Sequence, residues 1–337
     1  MLVIGGAGYI GNVLIRKLLS LGYHVRCLDA LYYPTGNTIA PLMDTPHFSF
    51  VRGDLRNVNV VRSALDGITD VVLLAALVGD PISKKYPALT REVNQFASCD
   101  LLSELGGRGI LKFIFTSTCS NYGILGANQP ATETSPLNPR SVYAETKVAF
   151  EEFVAKQSGS LDFSTTVLRL ATAFGLSPRM RFDLTVSEFS REIAMGKELL
   201  VYDETTWRPY CHVSDISQAI IRVFEAPTDI VSGQVFNVGG NENNFTKKMI
   251  VDELIRLIPD AKVTYKMGGF DQRDYRVSFD KIRAALNFEP TYSVPSAIAK
   301  VVSCIALGFY SDVEDSKSFY GNYVVNSDHP DVASVNN

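Results

Sequence analysis

The stretch Gly5-Gly6-Ala7-Gly8-Tyr9-Ile10-Gly11 decides the fold of this chain. It ends a short apolar run, Leu2–Gly5, and opens the segment Tyr9–Leu21, whose apolar residues recur at helical spacing until Gly22. A strand, a glycine-rich turn and a helix in this order gather free backbone N–H groups at the positive end of a helix dipole. The stretch therefore predicts a site for the pyrophosphate of a dinucleotide.

An acidic residue stands where such a site needs one. Asp29 ends the next predicted strand, 18 residues after Gly11, close to the spacing of about 20 expected for a carboxylate that binds ribose hydroxyls. Because a carboxylate repels a 2′-phosphate, Asp29 favours NAD over NADP. The alternative is a glycine turn that binds nothing, which the flanking strand, helix and acid disfavour. Asp54 follows a further strand and is either an adenine contact or an ordinary loop acid.

Strand and helix patterns alternate through the first half of the chain. This alternation predicts crossover connections and a parallel sheet, and the wholly apolar run Val71–Ala76 is typical of a strand covered on both faces. We therefore expect an α/β fold: a Rossmann-type doubly wound parallel sheet. The other predicted strands are His24–Leu28, Phe48–Arg52 and Phe113–Thr116, and the helices between them are Val60–Leu65 and Glu92–Leu105.

The pattern loosens after about residue 175, which predicts a smaller, interleaved substrate domain. The expected division is a dinucleotide-binding domain over residues 1–170 with a strand and helix returning near 205–240, a mainly substrate-binding domain over 171–310, and a polar, partly mobile tail over 311–337. The predicted helices here are Leu184–Met195, Asp215–Glu225, Thr246–Leu257 and Pro295–Leu307, and the strands are Val167–Leu170, Leu199–Tyr202 and Gln234–Val238.

Composition excludes several classes of protein. The 337 residues are 46% hydrophobic and carry 32 Lys+Arg against 36 Asp+Glu, so no basic excess indicates nucleic-acid binding. No apolar run reaches the roughly 20 residues of a membrane helix, and the N-terminus does not resemble a signal peptide. The five scattered cysteines and four isolated histidines predict free thiols, a cytoplasmic location and no metal site.

A hydroxyl, a phenol and an ammonium form the candidate reactive group. Tyr143 and Lys147 lie four residues apart and share a helix face, so the lysine is expected to lower the pKa of the phenol. Thr118 lies at the end of a predicted strand, where ligands bind in open parallel sheets. Such a tyrosine can take a proton from a hydroxyl whose carbon is being oxidised. The alternative is an exposed tyrosine and lysine on an ordinary helix surface.

Motifs along nearly the whole chain resemble the extended short-chain dehydrogenase/reductase family, specifically its nucleotide-sugar epimerases and dehydratases. They are GGAGYIG at the start, Asp29, GDLR at 53–56, LLAAL at 73–77, STCSNYG at 117–123, YAETK at 143–147, LRLATAFG at 168–175, WRPYCHVSD at 207–215, FNVGG at 236–240 and RDYRVSFDK at 273–281.

The resemblance implies an NAD-dependent enzyme of carbohydrate biosynthesis. It implies that Thr118, Tyr143 and Lys147 are catalytic, with Lys147 also holding the nicotinamide ribose. The implied cofactor contacts are Gly5, Gly8, Tyr9, Ile10, Gly11, Asp29, Asp54, Leu55, Ala75, Ala76, Tyr143 and Lys147. The implied contacts of a nucleotide-diphosphate sugar are Asn121, Arg179, Arg181, Arg208 and Arg273, the arginines because their guanidinium groups pair with phosphate.

One departure from the family pattern bears on the reaction. The 4,6-dehydratases carry Asp-Glu directly after the catalytic threonine, whereas this chain has Cys119 and Ser120. Cys119 is a candidate acid or base only if its thiol is tuned. The first hypothesis is therefore oxidation at C4 of the sugar to a 4-keto intermediate, followed by epimerisation.

Two other hypotheses stay open. The enzyme is a C4 dehydrogenase, a ketoreductase or an atypical dehydratase, and the segments 76–81, 177–184 and 273–278 also resemble nucleotide-heptose C4 dehydrogenases. Alternatively, the chain is a non-catalytic NAD-sensing scaffold. The resemblance further implies a homodimer paired through Glu92–Leu105 and Val142–Lys156.

Overall fold

The computed structural model describes residues 1–124, 129–269 and 273–325. Its strands are β1 (Leu2–Ile4), β2 (Val25–Asp29), β3 (Phe48–Arg52), β4 (Asp70–Leu73), β5 (Lys112–Thr118), β6 (Ser164–Leu170), β7 (Thr172–Phe174), β8 (Leu199–Tyr202), β9 (Trp207–His212), β10 (Gln234–Val238), β11 (Asn244–Thr246) and β12 (Val263–Lys266).

The helices are α1 (Tyr9–Ser20), α2 (Gly36–Ile39), α3 (Val58–Leu65), α4 (Asp80–Lys85), α5 (Pro87–Arg91), α6 (Ala97–Leu105), α7 (Val142–Gln157), α8 (Thr185–Ala194), α9 (Val213–Glu225), α10 (Thr228–Val231), α11 (Lys247–Leu257), α12 (Asp280–Leu286) and α13 (Val294–Ala306). Short 3₁₀ segments cover Ala40–Leu42, Cys119–Tyr122 and Asn241–Asn243, and a π-helical turn covers Glu92–Phe96. No helix in the described ranges has the length and apolar character needed to cross a membrane.

Seven parallel strands form the central sheet, in the order β10-β6-β5-β4-β1-β2-β3. The order reverses at β1, so α1 and the helices after β4 leave the sheet on either side of the same crevice. An open parallel sheet binds its ligands at such a point, beyond the carboxyl ends of the strands. The predicted α/β fold and doubly wound parallel sheet are confirmed.

Helices cover both faces of the sheet, which explains the apolar strands. One face packs Leu14, Leu18 and Ile220 of α1 and α9 into a cluster with sheet residues. The other face packs helices α3, α6 and α7, and Phe150 of α7 contacts the edges of two phenylalanine rings of β5. Since every strand of the sheet centre is buried on both sides, alternation of polar and apolar residues is absent there.

The second half of the chain builds a smaller unit around two short sheets, β11-β9-β7 and β12-β8. Its own core contains side chains of α8, α11 and α13, such as Phe189, Leu254 and Ile298. The chain returns to the large sheet at β10, which pairs with β6, and α9 packs on α1 of the first half.

The C-terminal segment packs closely as far as the structure describes it. Val313, Tyr320 and Val325 are buried, and Phe182 N donates a hydrogen bond to Tyr320 O at 2.7 Å. The aromatic and β-branched residues scattered in this polar sequence anchor it to the protein, so residues 311–325 do not form the partly mobile tail expected from composition. The remaining tail residues, 326–337, lie outside the described residues.

Candidate active site

A cavity of about 1170 Å³ lies at the carboxyl ends of the central strands. Its lining includes the glycine-rich turn, the ends of β2, β4 and β5, the start of α7, and loops from the second half of the chain. Among the predicted cofactor contacts, those that line it are Gly5, Gly8, Tyr9, Ile10, Gly11, Asp29, Asp54, Leu55, Ala75, Ala76, Tyr143 and Lys147.

Close backbone contacts explain the glycines of the turn. Gly5 has φ +86°, and a Cβ there would lie 2.5 Å from Ala75 N. A Cβ on Gly11 would lie 2.5 Å from the Cα of Gly6, so α1 begins tight against the turn. The N-cap residue Gly8 has no side chain to cap the helix. The first N–H groups of α1 therefore remain available to an anion, and these residues fit the pyrophosphate of NAD.

Asp29 both shapes the turn and faces the cavity. Its Oδ2 accepts a hydrogen bond from Ala7 N at 2.9 Å, and its Oδ1 accepts one from Leu31 N at 2.8 Å. Burial raises the pKa of Asp29, while these two N–H groups act in the opposite direction. A carboxylate held in this way presents its remaining lone pairs to the cavity, which fits ribose hydroxyls.

Asp54 belongs to a polar cluster at the same end of the cavity. Its carboxylate accepts hydrogen bonds from the Tyr32 hydroxyl and from Arg56, whose Nη1 also pairs with Glu92 at 2.9 Å. Burial opposes ionisation, but the bonds from Arg56 and Tyr32 lower the pKa of Asp54 below its ordinary value. Asp54 is therefore a charged acceptor and not an ordinary loop acid.

Thr118 and Tyr143 meet on one wall of the cavity. Thr118 is the last residue of β5, and Tyr143 lies in the first turn of α7, which Ser141 caps by accepting from Ala144 N. Both side chains line the cavity, the Thr118 hydroxyl acts to lower the pKa of Tyr143, and Thr118 Oγ1 accepts from Ser120 N at 3.1 Å. Sheet and helix thus fix the phenol and the hydroxyl against each other.

Lys147 lies one turn further along α7 and is also buried. Its Nζ donates to Thr116 O at 2.8 Å and lies 6.0 Å from the centroid of the Tyr143 ring. Burial lowers the pKa of Lys147 to about 7, against a smaller opposing effect of Glu151. The ammonium is therefore only partly charged at neutral pH.

Lys147 is not among the described groups that shift the pKa of Tyr143, although the sequence predicted that it would lower this pKa. Burial raises the pKa of Tyr143 to about 12; the Thr118 hydroxyl acts to lower it and the charge of Asp80 acts to raise it. The interpretation from sequence considered charge alone, whereas desolvation acts on both groups and is larger. Tyr143 is neutral in this state of the protein.

Two arginines stand near the reactive pair. Arg208 of β9 lines the cavity with its guanidinium 5.4 Å from the Tyr275 ring centroid. Arg273 donates to Ser120 Oγ at 2.9 Å, and its Nη2 lies 3.4 Å from Asp80 Oδ2. Both predicted phosphate contacts thus belong to the cavity that contains Tyr143.

Cys119 and Asn121 lie behind the cavity wall. The thiol of Cys119 donates to Arg169 O at 3.2 Å, and burial raises its pKa far above the ordinary range. Asn121 Nδ2 donates to Glu151 Oε1 at 2.8 Å. The 3₁₀ turn after β5 directs Ser120 to the cavity and these two side chains to the interior. Neither side chain lines the cavity, so this position does not support the predicted catalytic role of Cys119 or the predicted substrate contact of Asn121.

Arg179 and Arg181 both line the cavity, but their surroundings differ. Arg181 pairs with Asp183 through two hydrogen bonds of 2.9 and 2.6 Å, and its charge acts on Tyr143. Arg179 lies with its guanidinium 5.1 Å from the ring centroid of Tyr33 and acts electrostatically on Asp29. Arg181 therefore acts on the reactive phenol and also on Tyr9 of the glycine-rich turn, whereas Arg179 acts on Asp29.

Several cavity residues had no role in the sequence interpretation. Asp80 is the first residue of α4, in the segment that follows the apolar run Val71–Ala76, so its position was an available signal. Its Oδ1 is buried without a hydrogen-bond partner. The others come from loops and from the C-terminal segment, which no local pattern marks: Ser120, Glu188, Lys247, Asn322 and Tyr323.

Comparisons with known proteins agree with this geometry. Residues 1–239 match the model of the NAD dependent epimerase/dehydratase family. A UDP-glucose 4-epimerase of Lactobacillus helveticus is 28% identical over 312 residues, covering 87% of this chain and 92% of the relative. A dTDP-glucose 4,6-dehydratase of Streptomyces niveus is 27% identical over 323 residues, covering 90% and 91%. The structure of a UDP-glucuronic acid 4-epimerase from Bacillus cereus, with UDP-glucuronic acid and NAD, superposes with TM-score 0.83 at 25% identity, covering 91% and 98%.

Proposed function

The chain belongs to the NAD-dependent epimerase/dehydratase family and is an NAD-dependent enzyme, and from that premise we propose that it interconverts a nucleotide-activated sugar and its C4 epimer. One observation carries the proposal. Tyr143 and Thr118 share a cavity with the glycine-rich turn and with Arg208 and Arg273. A dinucleotide, a proton acceptor and a diphosphate-binding group are the three parts that oxidation of a sugar carbon requires.

Tyr143 is the proposed general base and acid. Its phenolate takes the proton of the C4 hydroxyl as that carbon is oxidised, and its hydroxyl returns the proton when the carbon is reduced. Thr118 donates to the reacting oxygen and keeps the phenol aligned. Bound NAD supplies the hydride acceptor and a positively charged ring that favours the phenolate. Lys147, anchored on Thr116 O, orients the ribose beside it.

Arg208 and Arg273 are the proposed diphosphate contacts. Their guanidinium groups pair bidentately with phosphate oxygens and hold the nucleotide while the sugar moves. Epimerisation requires the 4-keto sugar to present its other face before it is reduced. Because Arg208 and Arg273 would hold the diphosphate rather than the sugar, the sugar can rotate while the ketone stays bound.

Elimination of water is less well supported than epimerisation. The residues after Thr118 are Cys119, buried with a raised pKa, and Ser120, which accepts from Arg273. Cys119 and Ser120 do not form an acid–base pair at the cavity. The positions that serve dehydration in the related 4,6-dehydratases therefore carry residues that are unsuited to eliminating water. A C4 dehydrogenase or ketoreductase remains the second candidate, because it uses the same first half-reaction.

The test is a panel of nucleotide sugars incubated with the purified protein and catalytic NAD. Epimerisation leaves the mass of the sugar unchanged and gives a new anomeric signal in proton NMR. Oxidation removes two hydrogens and consumes stoichiometric NAD, and dehydration removes water. Loss of two hydrogens would establish the second candidate. Absence of any product and of NAD reduction across the panel would contradict both.

The variants Cys119→Ala and Ser120→Ala test whether the two residues after Thr118 take part in the chemical step. Because the Cys119 thiol faces Arg169 O, we expect Cys119→Ala to keep its turnover number. Ser120→Ala removes an acceptor of Arg273, so we expect a higher KM for the nucleotide sugar. A large loss of turnover in Cys119→Ala would revive the thiol as a participant.

A homodimer and a cytoplasmic location complete the proposal. Phe96, in the segment Glu92–Leu105, has 55% of its surface exposed, which supports pairing through that segment and α7. All five cysteines are free, which suits a reducing compartment. Light scattering after gel filtration measures the dimer, and Phe96→Asp is expected to yield the monomer.

A further inference from the structure

Arg179 is a buried cation that lacks an acidic partner. Only 1% of its surface is exposed. Its Nη2 donates to neutral acceptors, Asn322 Oδ1 at 2.7 Å and Gly321 O at 3.3 Å, and its Nε is buried without a hydrogen-bond partner. Within residues 1–124, 129–269 and 273–325, no carboxylate lies within 4.0 Å of its guanidinium.

Two other buried arginines are paired with carboxylates. Arg169 pairs with Glu151 at 2.7 Å, and Arg181 pairs with Asp183 at 2.6 Å. Burial of a charge is strongly unfavourable unless a partner of opposite sign and hydrogen bonds offset it. Burial and the nearby charge of Arg181 accordingly lower the pKa of Arg179 to about 10. Asp183 and Asp29 act on this cation only from beyond ion-pair distance, so an anionic ligand in direct contact would complete the site.

The position of Arg179 identifies the half of the cavity that this anion occupies. The guanidinium lies over the Tyr33 ring, and the Tyr33 hydroxyl is itself buried without a partner. Both side chains line the cavity. Arg179 acts electrostatically on Asp29, which is hydrogen-bonded to Ala7 of the glycine-rich turn. These contacts place Arg179 near Asp29 and the turn, which favours the dinucleotide over the sugar nucleotide as the source of the anion.

Residues 320–325, here called the C-terminal strap, hold Arg179 from the other side. Asn322 N donates to Asp183 Oδ2 at 3.0 Å, and Asn322 Nδ2 donates to Val78 O at 3.4 Å. Val325 is buried against Leu77 and Ile82, next to the cavity-lining end of β4. The strap thus joins a loop of the second half to a loop of the first half across the cavity.

We propose that Arg179 binds the pyrophosphate of NAD and that the C-terminal strap keeps it there, so that the cofactor stays bound between turnovers. The inference rests on the proposed function only in taking NAD as the cofactor. The pyrophosphate carries two negative charges, and the N–H groups of the turn are neutral. A guanidinium supplied by the second half of the chain provides the missing countercharge. Since epimerisation consumes no net NAD, retention is compatible with turnover.

Binding measurements on the full chain, freed of nucleotide and without any sugar, test the assignment of Arg179. Removal of a charged hydrogen bond is expected to weaken NAD binding by about 10- to 100-fold in Arg179→Met. ADP-ribose, which contains the same pyrophosphate, should weaken equally, whereas adenosine should bind unchanged. Arg62→Met, on an exposed helix face, is the matched control and should bind NAD as the wild type does.

Three results would overturn the assignment. One is NAD affinity within twofold of wild type in a folded Arg179→Met protein. Another is equal weakening of adenosine, which would make the arginine a merely structural residue. The third is loss of NADP binding alone, which would place the arginine on a 2′-phosphate. Because no sugar is present, these outcomes do not depend on whether the protein is an epimerase.

Variants of the strap keep the proposal testable if Arg179→Met does not fold. Val325→Asp places a charge in a site with 1% exposure, whereas Val324→Asp changes a neighbouring valine with 46% exposure. Stopped-flow displacement of bound NAD should show at least about tenfold faster release in Val325→Asp and in Asn322→Ala, and wild-type release in Val324→Asp. Unchanged release in both strap variants would refute retention by the strap.

Discussion

Replacement of Thr118 by valine tests how the protein prepares its phenol. Valine keeps the shape of threonine and removes the hydroxyl that acts to lower the pKa of Tyr143. Burial raises the pKa of Tyr143 to about 12, and among the surrounding groups Thr118 is the largest that lowers it. The variant is therefore expected to raise the pKa of Tyr143 further and to leave less phenolate at any pH below it.

The size of the effect follows from the hydrogen bond that the Thr118 hydroxyl would donate to the phenolate and that valine cannot donate. A hydrogen bond to a charged group contributes about 1.5–3 kcal/mol, and each 1.36 kcal/mol is a factor of ten in rate. We expect kcat/KM to fall by about 10- to 100-fold. The valine also leaves Ser120 N without the acceptor that lies 3.1 Å away, so a modest loss of thermal stability should accompany it.

The assay is the initial rate of epimerisation between pH 6 and 9. In the wild type, log kcat/KM should rise with pH, because the phenolate fraction increases toward the pKa. In Thr118→Val the same slope should lie lower, and Thr118→Ser, which keeps a hydroxyl, should recover most of the rate. An unchanged kcat with a raised KM would refute the argument, since it would make Thr118 a contact for binding only.

Three further predictions concern the reactive phenol, the turn and the buried ion pair. Tyr143→Phe should lose about 10²- to 10⁴-fold in kcat while calorimetry shows unchanged NAD affinity. Gly11→Ala should abolish NAD binding, measured in the same way, because the added Cβ would lie 2.5 Å from Gly6 Cα. Glu151→Ala should lower the free energy of unfolding in urea by about 3–5 kcal/mol, since it leaves Arg169 buried and unpaired, and a wild-type midpoint would contradict this.

Much of the central sheet could be predicted because its strands are local signals. Phe48–Arg52, Leu199–Tyr202 and Gln234–Val238 have the predicted bounds. The run Val71–Ala76 was predicted too long, since β4 ends at Leu73. The N–H groups of Leu74 and Ala75 both donate to Ile4 O at 2.9 Å, so the backbone leaves the ladder there although the side chains stay apolar.

Strands that depend on distant partners escaped prediction. β9 contains Arg208, Pro209 and His212 and shows no alternation, yet it lies between β7 and β11. β9 forms a strand because it pairs with segments more than 30 residues away in sequence. Pro209 lacks an N–H group, which local propensity counts against a strand. Pairing of this kind is invisible until the fold is known.

The candidate site divides in the same way. The turn, Asp29, Thr118 and Tyr143 follow from local patterns that the sheet brings together at its carboxyl edge. The orientation of Cys119 could not be inferred, because a 3₁₀ turn has no twofold alternation from which to read a face. The Arg179 site depends on contacts between residues more than 140 positions apart in sequence, such as that with Asn322.

Burial links the chemistry of this site to occupation of the cavity. The same low-dielectric surroundings raise the pKa of Tyr143 to about 12 and lower that of Lys147 to about 7. Desolvation disfavours whichever form is charged, so it favours a neutral phenol and a partly neutral lysine together. A tyrosine in this state is a poor base at neutral pH. The phenolate therefore requires positive charge that these residues do not supply, and proton transfer becomes coupled to the presence of an oxidised cofactor. On this reasoning, the retained cation of Arg179 and the reactive phenol depend on the same ligand: its pyrophosphate neutralises the first, and its ring activates the second.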